Sequence, residues 1–313
     1  MILTVTPNPS LDRTYEVPSL DRGEVLRATG DRVDPGGKGV NVSRAVAAAG
    51  VRTTAVLPLG GPPGTLLAEL LVAQGVDVTA VSIAGQTRSN ISVAEPCGTV
   101  TKINTAGPEL SAAESALLLD TVRSCSGAAA WIACCGSLPR GLAPEWYAEI
   151  VARAHQGGAR IALDTSGPAL LAALPARPDV VKPNVAELAE AVGRPLATLG
   201  DAVKAAEELV GLGAGAVLAS LGAHGQLLVG PEGAFHGTAP VTAVRSDVGA
   251  GDASLAGFLI AGGAGPAALA SALAHGAAAV QLPGSVMPTP TDLRPDAVRI
   301  TAAPPLDLTL TRD

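Results

Sequence analysis

The stretch Asp247–Ser254, DVGAGDAS, sets two glycines and an acid directly ahead of the apolar, helix-like run Ala253–Ala261. Glycine is costly inside a helix and cheap just outside one, so Gly249 and Gly251 mark the turn that opens it. That opening leaves backbone N–H groups free, and the helix dipole adds partial positive charge there. The amides of Ala250, Gly251 and Asp252 therefore attract an anion, and Asp252 as a plain cap would compete with it. Phosphoryl transfer reconciles the two: the amides stabilise the charge on the moving group while Asp252 takes the proton of an attacking hydroxyl. An ordinary Asp cap worth about 1 kcal/mol explains the same letters, and this stretch alone leaves both readings open.

A second glycine cluster, DPGGKGVNVSRAVAAAG over Asp34–Gly50, also opens a helix. Gly36, Gly37 and Gly39 allow close backbone approach, Lys38 supplies a point charge, and Asn41 faces the same mouth. This suits a polyhydroxylated ligand that carries a phosphate. SLGAHG, Ser220–Gly225, lies between two predicted strands and can wrap a nucleotide, although hairpin glycines are commonplace. In VVKPNVAEL a strand ends at Lys182; Asn184 and Glu187 then read either as an outer-shell site for Mg²⁺ or as a helix cap followed by a surface acid. Arg27, Arg88 and Lys102 are cations able to collect a phosphate, and Asp12 just past the first strand can accept from sugar hydroxyls. No G-x-x-x-x-G-K-[ST] loop occurs. GLGAGA at 211–216 has the spacing of a dinucleotide turn but follows a helix and precedes a strand, so it reads as a connecting loop. The four His residues show no metal spacing, and His275 reads as a core residue or the wall of an adenine pocket.

The scaffold for these groups follows from the rest of the chain. Its 313 residues fit one large α/β unit with an elaboration, and with only eight Phe, Trp, Tyr or Met the core must be built from Ala, Val, Leu and Ile. Short β-branched runs alternate with Ala/Leu-rich helical stretches, the pattern of parallel βαβ units. Expected strands are 2–6, 53–57, 131–134, 160–164, 180–182, 216–220 and 226–229. Expected helices are 41–49, 64–74, 111–123, 144–156, 186–192, 201–212, 253–261 and 267–282. Two segments break the alternation: the charged Leu11–Val33, and Gln86–Asn104, which alternates like a hairpin turning at Glu95–Gly98. Together they suggest a small antiparallel flap over one end of the main unit, an excursion that usually covers a ligand.

A formal charge of −7 argues against a nucleic-acid or membrane surface, so an anionic ligand must be met by local cations. Cys97, Cys125, Cys134 and Cys135 show neither metal nor disulfide spacing and read as reduced thiols of a cytoplasmic protein. Leu255–Ala274 is apolar for about the length of a membrane span, but GGAGP interrupts it, and two buried helices explain it better. No basic leader precedes the first strand.

TPNPSLD near the start, PGGKGVN, TRSN, GSLP at 136–139, KPN, SLGAHG and VGAGD occur in one order across the chain. This set resembles the PfkB/ribokinase-like sugar kinases, and within them the 1-phosphofructokinase and tagatose-6-phosphate kinase branch. The resemblance implies a ribokinase-like α/β core, here 1–10, 34–85 and 105–313, with a β-sheet lid at 11–33 and 86–104. It also implies ATP and Mg²⁺ as cofactors and dimerisation through the lid. By position it makes Asp252 the catalytic base and Gly249, Ala250 and Gly251 the anion hole. Ser220, Gly222 and Gly225 match the ATP loop, with Lys182 beside it, and Asn184 and Glu187 match the Mg²⁺/phosphate motif. Asp12, Gly37, Lys38, Asn41 and Ser137 match the sugar site, and Arg88, Lys38, Lys102 and Arg27 anchor the existing phosphate. The implied reaction is phosphorylation of D-fructose 1-phosphate at its 6-hydroxyl. Tagatose 6-phosphate is the nearest alternative substrate, and a non-catalytic sugar-phosphate sensor is the alternative of another class. Asp247 departs from the pattern, which commonly has Thr there; a second carboxylate would raise the pKa of Asp252, repel ATP or recruit a cation.

Overall fold

The computed structural model describes residues 1–311. The chain opens with β1 (Ile2–Val5), leaves the main sheet for β2 (Ser10–Glu16) and β3 (Gly30–Gly36), and returns through α1 (Lys38–Ala48), β4 (Thr53–Leu59), α2 (Gly61–Ala73) and β5 (Asp77–Ser82). A second excursion forms β6 (Arg88–Ala94) and β7 (Val100–Ile103). There follow α3 (Ala112–Ser126), β8 (Trp131–Cys135), α4 (Trp146–Gln156), β9 (Arg160–Asp164), α5 (Gly167–Ala173), β10 (Val180–Val181), α6 (Val185–Val192), α7 (Leu199–Gly211) and β11 (Val217–Ser220). The last third contains β12 (Gln226–Gly230), β13 (Gly233–Thr238), α8 (Ala250–Ile260), α9 (Gly265–Ala279) and β14 (Arg299–Thr301).

The main sheet runs β14-β13-β12-β11-β10-β9-β8-β1-β4-β5. From β11 to β5 every pairing is parallel, and β12, β13 and β14 add an antiparallel edge. Strands buried on both faces read as unbroken apolar runs, and successive side chains go to opposite layers. In β8, Ile132 and Cys134 pack toward α3, α4 and α7, while Trp131, Ala133 and Cys135 pack toward α1, α8 and α9. A smaller core of Leu11, Val40, Leu57, Leu67 and Leu71 seals α2 against β4. The apolar run 255–274 is two helices: α8 is buried on all sides, and Gly262, Gly263 and Gly265 turn the chain with positive φ into α9. Among the described residues, no helix is long and apolar enough to cross a membrane.

The small sheet has the order β3-β2-β6-β7. Its outer pairs are antiparallel and its central pair, β2 with β6, is parallel, placing Ser10 opposite Arg88 and Asp12 opposite Asn90. The turn Glu95–Gly98 closes β6 onto β7, with Gly98 N–H donating to the Glu95 carbonyl. Two expected helix starts move forward. Helix α1 begins at Lys38, where Gly37 (φ 119°) makes the bend, and α8 begins at Ala250 after Gly249 (φ 79°). Gly251 therefore lies inside the helix, tolerated because a Cβ there would press on the Lys182 ammonium at 3.3 Å.

Candidate active site

The carboxyl ends of the parallel strands carry a row of polar side chains: Asn8 after β1, Ser137 after β8, Asp164 ending β9, Lys182 after β10 and Ser220 ending β11. The N-termini of α1 and α8 face each other across this row, and Asn41 Nδ2 donates to Asp252 Oδ2 at 2.9 Å. The two glycine clusters, 211 residues apart at this contact, thus meet directly.

Asp164, which reading by residue type passes over, organises the next layer. Lys38 Nζ donates to its Oδ1 at 2.7 Å and to Glu187 Oε1 at 3.1 Å. Lys182 Nζ lies 3.0 Å from Asp164 Oδ2, so each carboxylate oxygen faces one ammonium. Burial opposes ionisation of Asp164, but Lys182 and Lys38 outweigh it and hold the carboxyl below its usual range. Asp252 goes the other way. Burial, then the charge of Asp164, pushes it up to about 6, against the pull of Lys182, Asn41 and Lys38. Two neighbouring carboxylates driven apart in this way are the signature of an assigned acid–base role. The N–H groups of Gly251 and Asp252 have no backbone acceptor, whereas that of Ala250 turns to the Asp247 carbonyl at 3.3 Å. Of the three amides expected to receive an anion, those of Gly251 and Asp252 thus have no backbone acceptor among the described residues, and the Lys182 ammonium lies beside Gly251.

Lys38, expected with Arg88 on the substrate's existing phosphate, pairs in the structure with Asp164 and Glu187. Asn184 and Glu187 do form a helix cap: Asn184 Oδ1 accepts from Glu187 N–H, and Glu187 Oε2 accepts from Asn184 N–H. The cap seats Glu187 beside Lys38, so the two readings of that motif are compatible. Among the described residues no group of three or more His, Cys, Asp or Glu forms a metal cluster.

At the lid end, Asp12 Oδ1 accepts from Ser10 Oγ at 2.7 Å and Asn90 Nδ2 at 2.9 Å. Gly36 is required opposite it, because a Cβ would lie 2.2 Å from Oδ2. Arg88 donates to the Thr105 and Asn8 carbonyls and keeps its Nε free. Asn8 Nδ2 reaches Ala106 O and, at 3.4 Å, Ser137 Oγ, while its Oδ1 is unpartnered. Buried polar atoms without partners are rare. Of the five found among the described residues, Asn8 Oδ1 and Arg88 Nε belong to this cleft and Thr6 Oγ1 abuts its Gly39. Arg27 and Lys102 stand exposed on the lid, with no ion pair among the described residues. Gly222 and Gly225 bend a short turn between β11 and β12 with positive φ, and Asn184 bridges to Ser220 beside it. His275 is a buried helix residue whose Nδ1 lies 2.8 Å from the Ser271 carbonyl.

A mostly parallel sheet with helices on both faces, a second small sheet, and a polar cleft in which Asp252, Asp164, Lys38 and Lys182 come together fit the class of phosphoryl-transferring enzymes. The model of the pfkB family carbohydrate kinases matches residues 7–292, and the chain belongs to that family. It is 42% identical over 263 residues to a 1-phosphofructokinase of Rhodobacter capsulatus, covering 82% of each chain. It is 37% identical over 262 residues to an ATP-dependent 6-phosphofructokinase isozyme 2 of Mycobacterium tuberculosis, covering 83% and 77% of the two chains. Phosphofructokinase-2 of Escherichia coli, solved in complex with substrates and products, superposes with a TM-score of 0.87 at 34% identity, over 93% of this chain and 96% of that one. An Arabidopsis thaliana ribokinase, 24% identical, shares the fold with a TM-score of 0.74 over 93% and 96% of the chains.

Proposed function

We propose that this kinase phosphorylates D-fructose 1-phosphate at the 6-hydroxyl with ATP as donor, giving fructose 1,6-bisphosphate and ADP. The observation that supports the reading is the Asn41–Asp252 contact, which joins the starts of the two glycine-led helices at a carboxyl whose pKa is raised to about 6. Asp12, Asn8 and Ser137 accept and donate to sugar hydroxyls, and Arg88 anchors the 1-phosphate with the guanidinium donors its two carbonyl contacts leave over. Asp252 takes the proton of the 6-hydroxyl as that oxygen bonds to the γ-phosphorus. The bond from the γ-phosphorus to the bridging oxygen breaks, and the electron pair leaves with ADP. Lys38, Lys182 and the Gly251 and Asp252 amides meet the charge on the moving group, while Gly222 and Gly225 let the backbone approach the nucleotide.

The donor set fits ATP with Mg²⁺. Gly251 leaves room beside Lys182, and Glu187 and Asn184 stand where a hydrated ion would be held through water. Bound there, Mg²⁺ would neutralise phosphate charge. Exposed Val100 and Ile103 on β7 and Val25 at the lid rim support a homodimer joined through the lid. ATP as donor and four free thiols suit the cytoplasm. The test is coupled ADP release with fructose 1-phosphate, tagatose 6-phosphate and fructose 6-phosphate. The highest kcat/KM belongs to fructose 1-phosphate; a preference for either other ester reassigns the substrate, and ester binding without ADP formation makes the protein a sensor.

A further inference from the structure

We infer that Arg44 is a positioning residue for phosphoryl transfer: it locks the Asn41 amide so that Nδ2 is held against Asp252 Oδ2. The inference rests on Asp252 being the base. Arg44 lies on α1, buried to 6% exposure, and its guanidinium reaches across several elements. Nε donates to Gln74 Oε1 at 2.7 Å just beyond α2, and Nη1 to Asn41 Oδ1 at 3.1 Å. Longer contacts run from Nη1 to Ser285 Oγ at 3.3 Å and to the Pro35 carbonyl of β3 at 3.5 Å.

The chemistry of the three groups admits one arrangement. A guanidinium only donates and an ionised carboxylate only accepts, so the amide between them must turn its oxygen to Arg44 and its NH₂ to Asp252. Without Arg44 the amide is free to rotate by half a turn and set its oxygen against the carboxylate. The lock also chooses the oxygen that reacts. Oδ2 already takes the Asn41 N–H, and a proton arriving there would face a donor. Oδ1 accepts no hydrogen bond from the described residues and receives the substrate's proton. The other titratable or charged groups facing Asp252 are Lys38 on α1, Asp164 on β9, Lys182 after β10, Cys135 on β8 and Arg44 itself. Only Arg44 acts through the amide.

The experiment compares pH profiles of kcat and KM for the wild type, Arg44→Met, Asn41→Ala, the double variant and Asp252→Asn, with Mg-ATP and fructose 1-phosphate. Arg44→Met is expected to lower kcat about tenfold and to move the acid limb up by about one pH unit, with the KM for fructose 1-phosphate nearly unchanged. In the Asn41→Ala background the same change should add nothing further. A wild-type acid limb in Arg44→Met, or an additive effect in the double variant, overturns the inference. If Arg44→Met does not fold, Arg44→Lys carries the test. It keeps the buried charge but replaces the rigid planar fork that spans Gln74 and Asn41 by a single flexible nitrogen, so an unshifted limb there overturns the inference equally. An Asp252→Asn enzyme at wild-type rate removes the base reading itself; an inactive one beside an unshifted Arg44→Met removes the Arg44 role alone.

Discussion

Asp252 and Asp164 lie within electrostatic reach of one another and do opposite work. Because burial and Asp164 raise Asp252 to about 6, turnover should fall as pH drops through that value, and Asp252→Asn should lower kcat by about 10³-fold or more. The same shift has a stability side. A carboxyl raised in the folded state binds extra protons there, so its favourable contribution is present at low pH and lost as pH rises through about 6. Asp252→Asn should therefore be more stable than the wild type at pH 8, by about 1–3 kcal/mol, with the gain shrinking at pH 5, as calorimetry would show. Asp164 is depressed, so its contribution is present above the unfolded pKa and lost as pH falls through the folded one. Lys38→Met takes away one of its cations. It should cost about 3 kcal/mol in denaturant titrations and lower kcat, whereas an anchor of the substrate phosphate would change KM alone. Asp252, Lys38 and Asn41 are legible in the sequence because glycines beside a helix start announce a ligand. Asp164, Asn8 and Arg44 are not, because the end of an apolar strand or the second turn of a helix gives no sign of the partner across the fold.

Secondary structure is legible where burial imposes a clean period. The interior strands and the long helices fall close to their expected places. Strand β5 at one edge, β13 and β14 at the other, and α5 escape notice because edge strands are only half covered and a seven-residue helix shows too little periodicity. Val180–Lys182 contracts to the pair Val180–Val181, since Lys182 must leave the strand to reach Asp164. The β11–β12 turn makes a sharper prediction. Gly225 has φ 85°, and a Cβ there would lie 2.0 Å from the Gly237 carbonyl. Gly225→Ala should destabilise by about 2 kcal/mol or more through strain and overlap, and should raise the KM for ATP before that for the sugar.

On the proposed reaction the two sheets divide the labour, the large one holding the transfer chemistry and the small one the substrate's far end. Arg88→Met should therefore raise the KM for fructose 1-phosphate about tenfold or more with kcat nearly intact. Ile103→Asp on the exposed strand β7 should halve the sedimenting mass if the lids pair. The layering has a practical use as well. The chain has two tryptophans. Trp131 lies beneath the Arg160 guanidinium in the layer with α1, α8 and α9, and Trp146 donates to Ser115 in the layer with α3 and α4. Each half of the interior thus carries one tryptophan, and among the described residues neither indole bonds to a cleft residue. Trp131→Phe and Trp146→Phe would leave single-tryptophan proteins whose denaturation curves, with excitation selective for the indole, report one side of the sheet each. Superimposable curves would mean that both halves melt together.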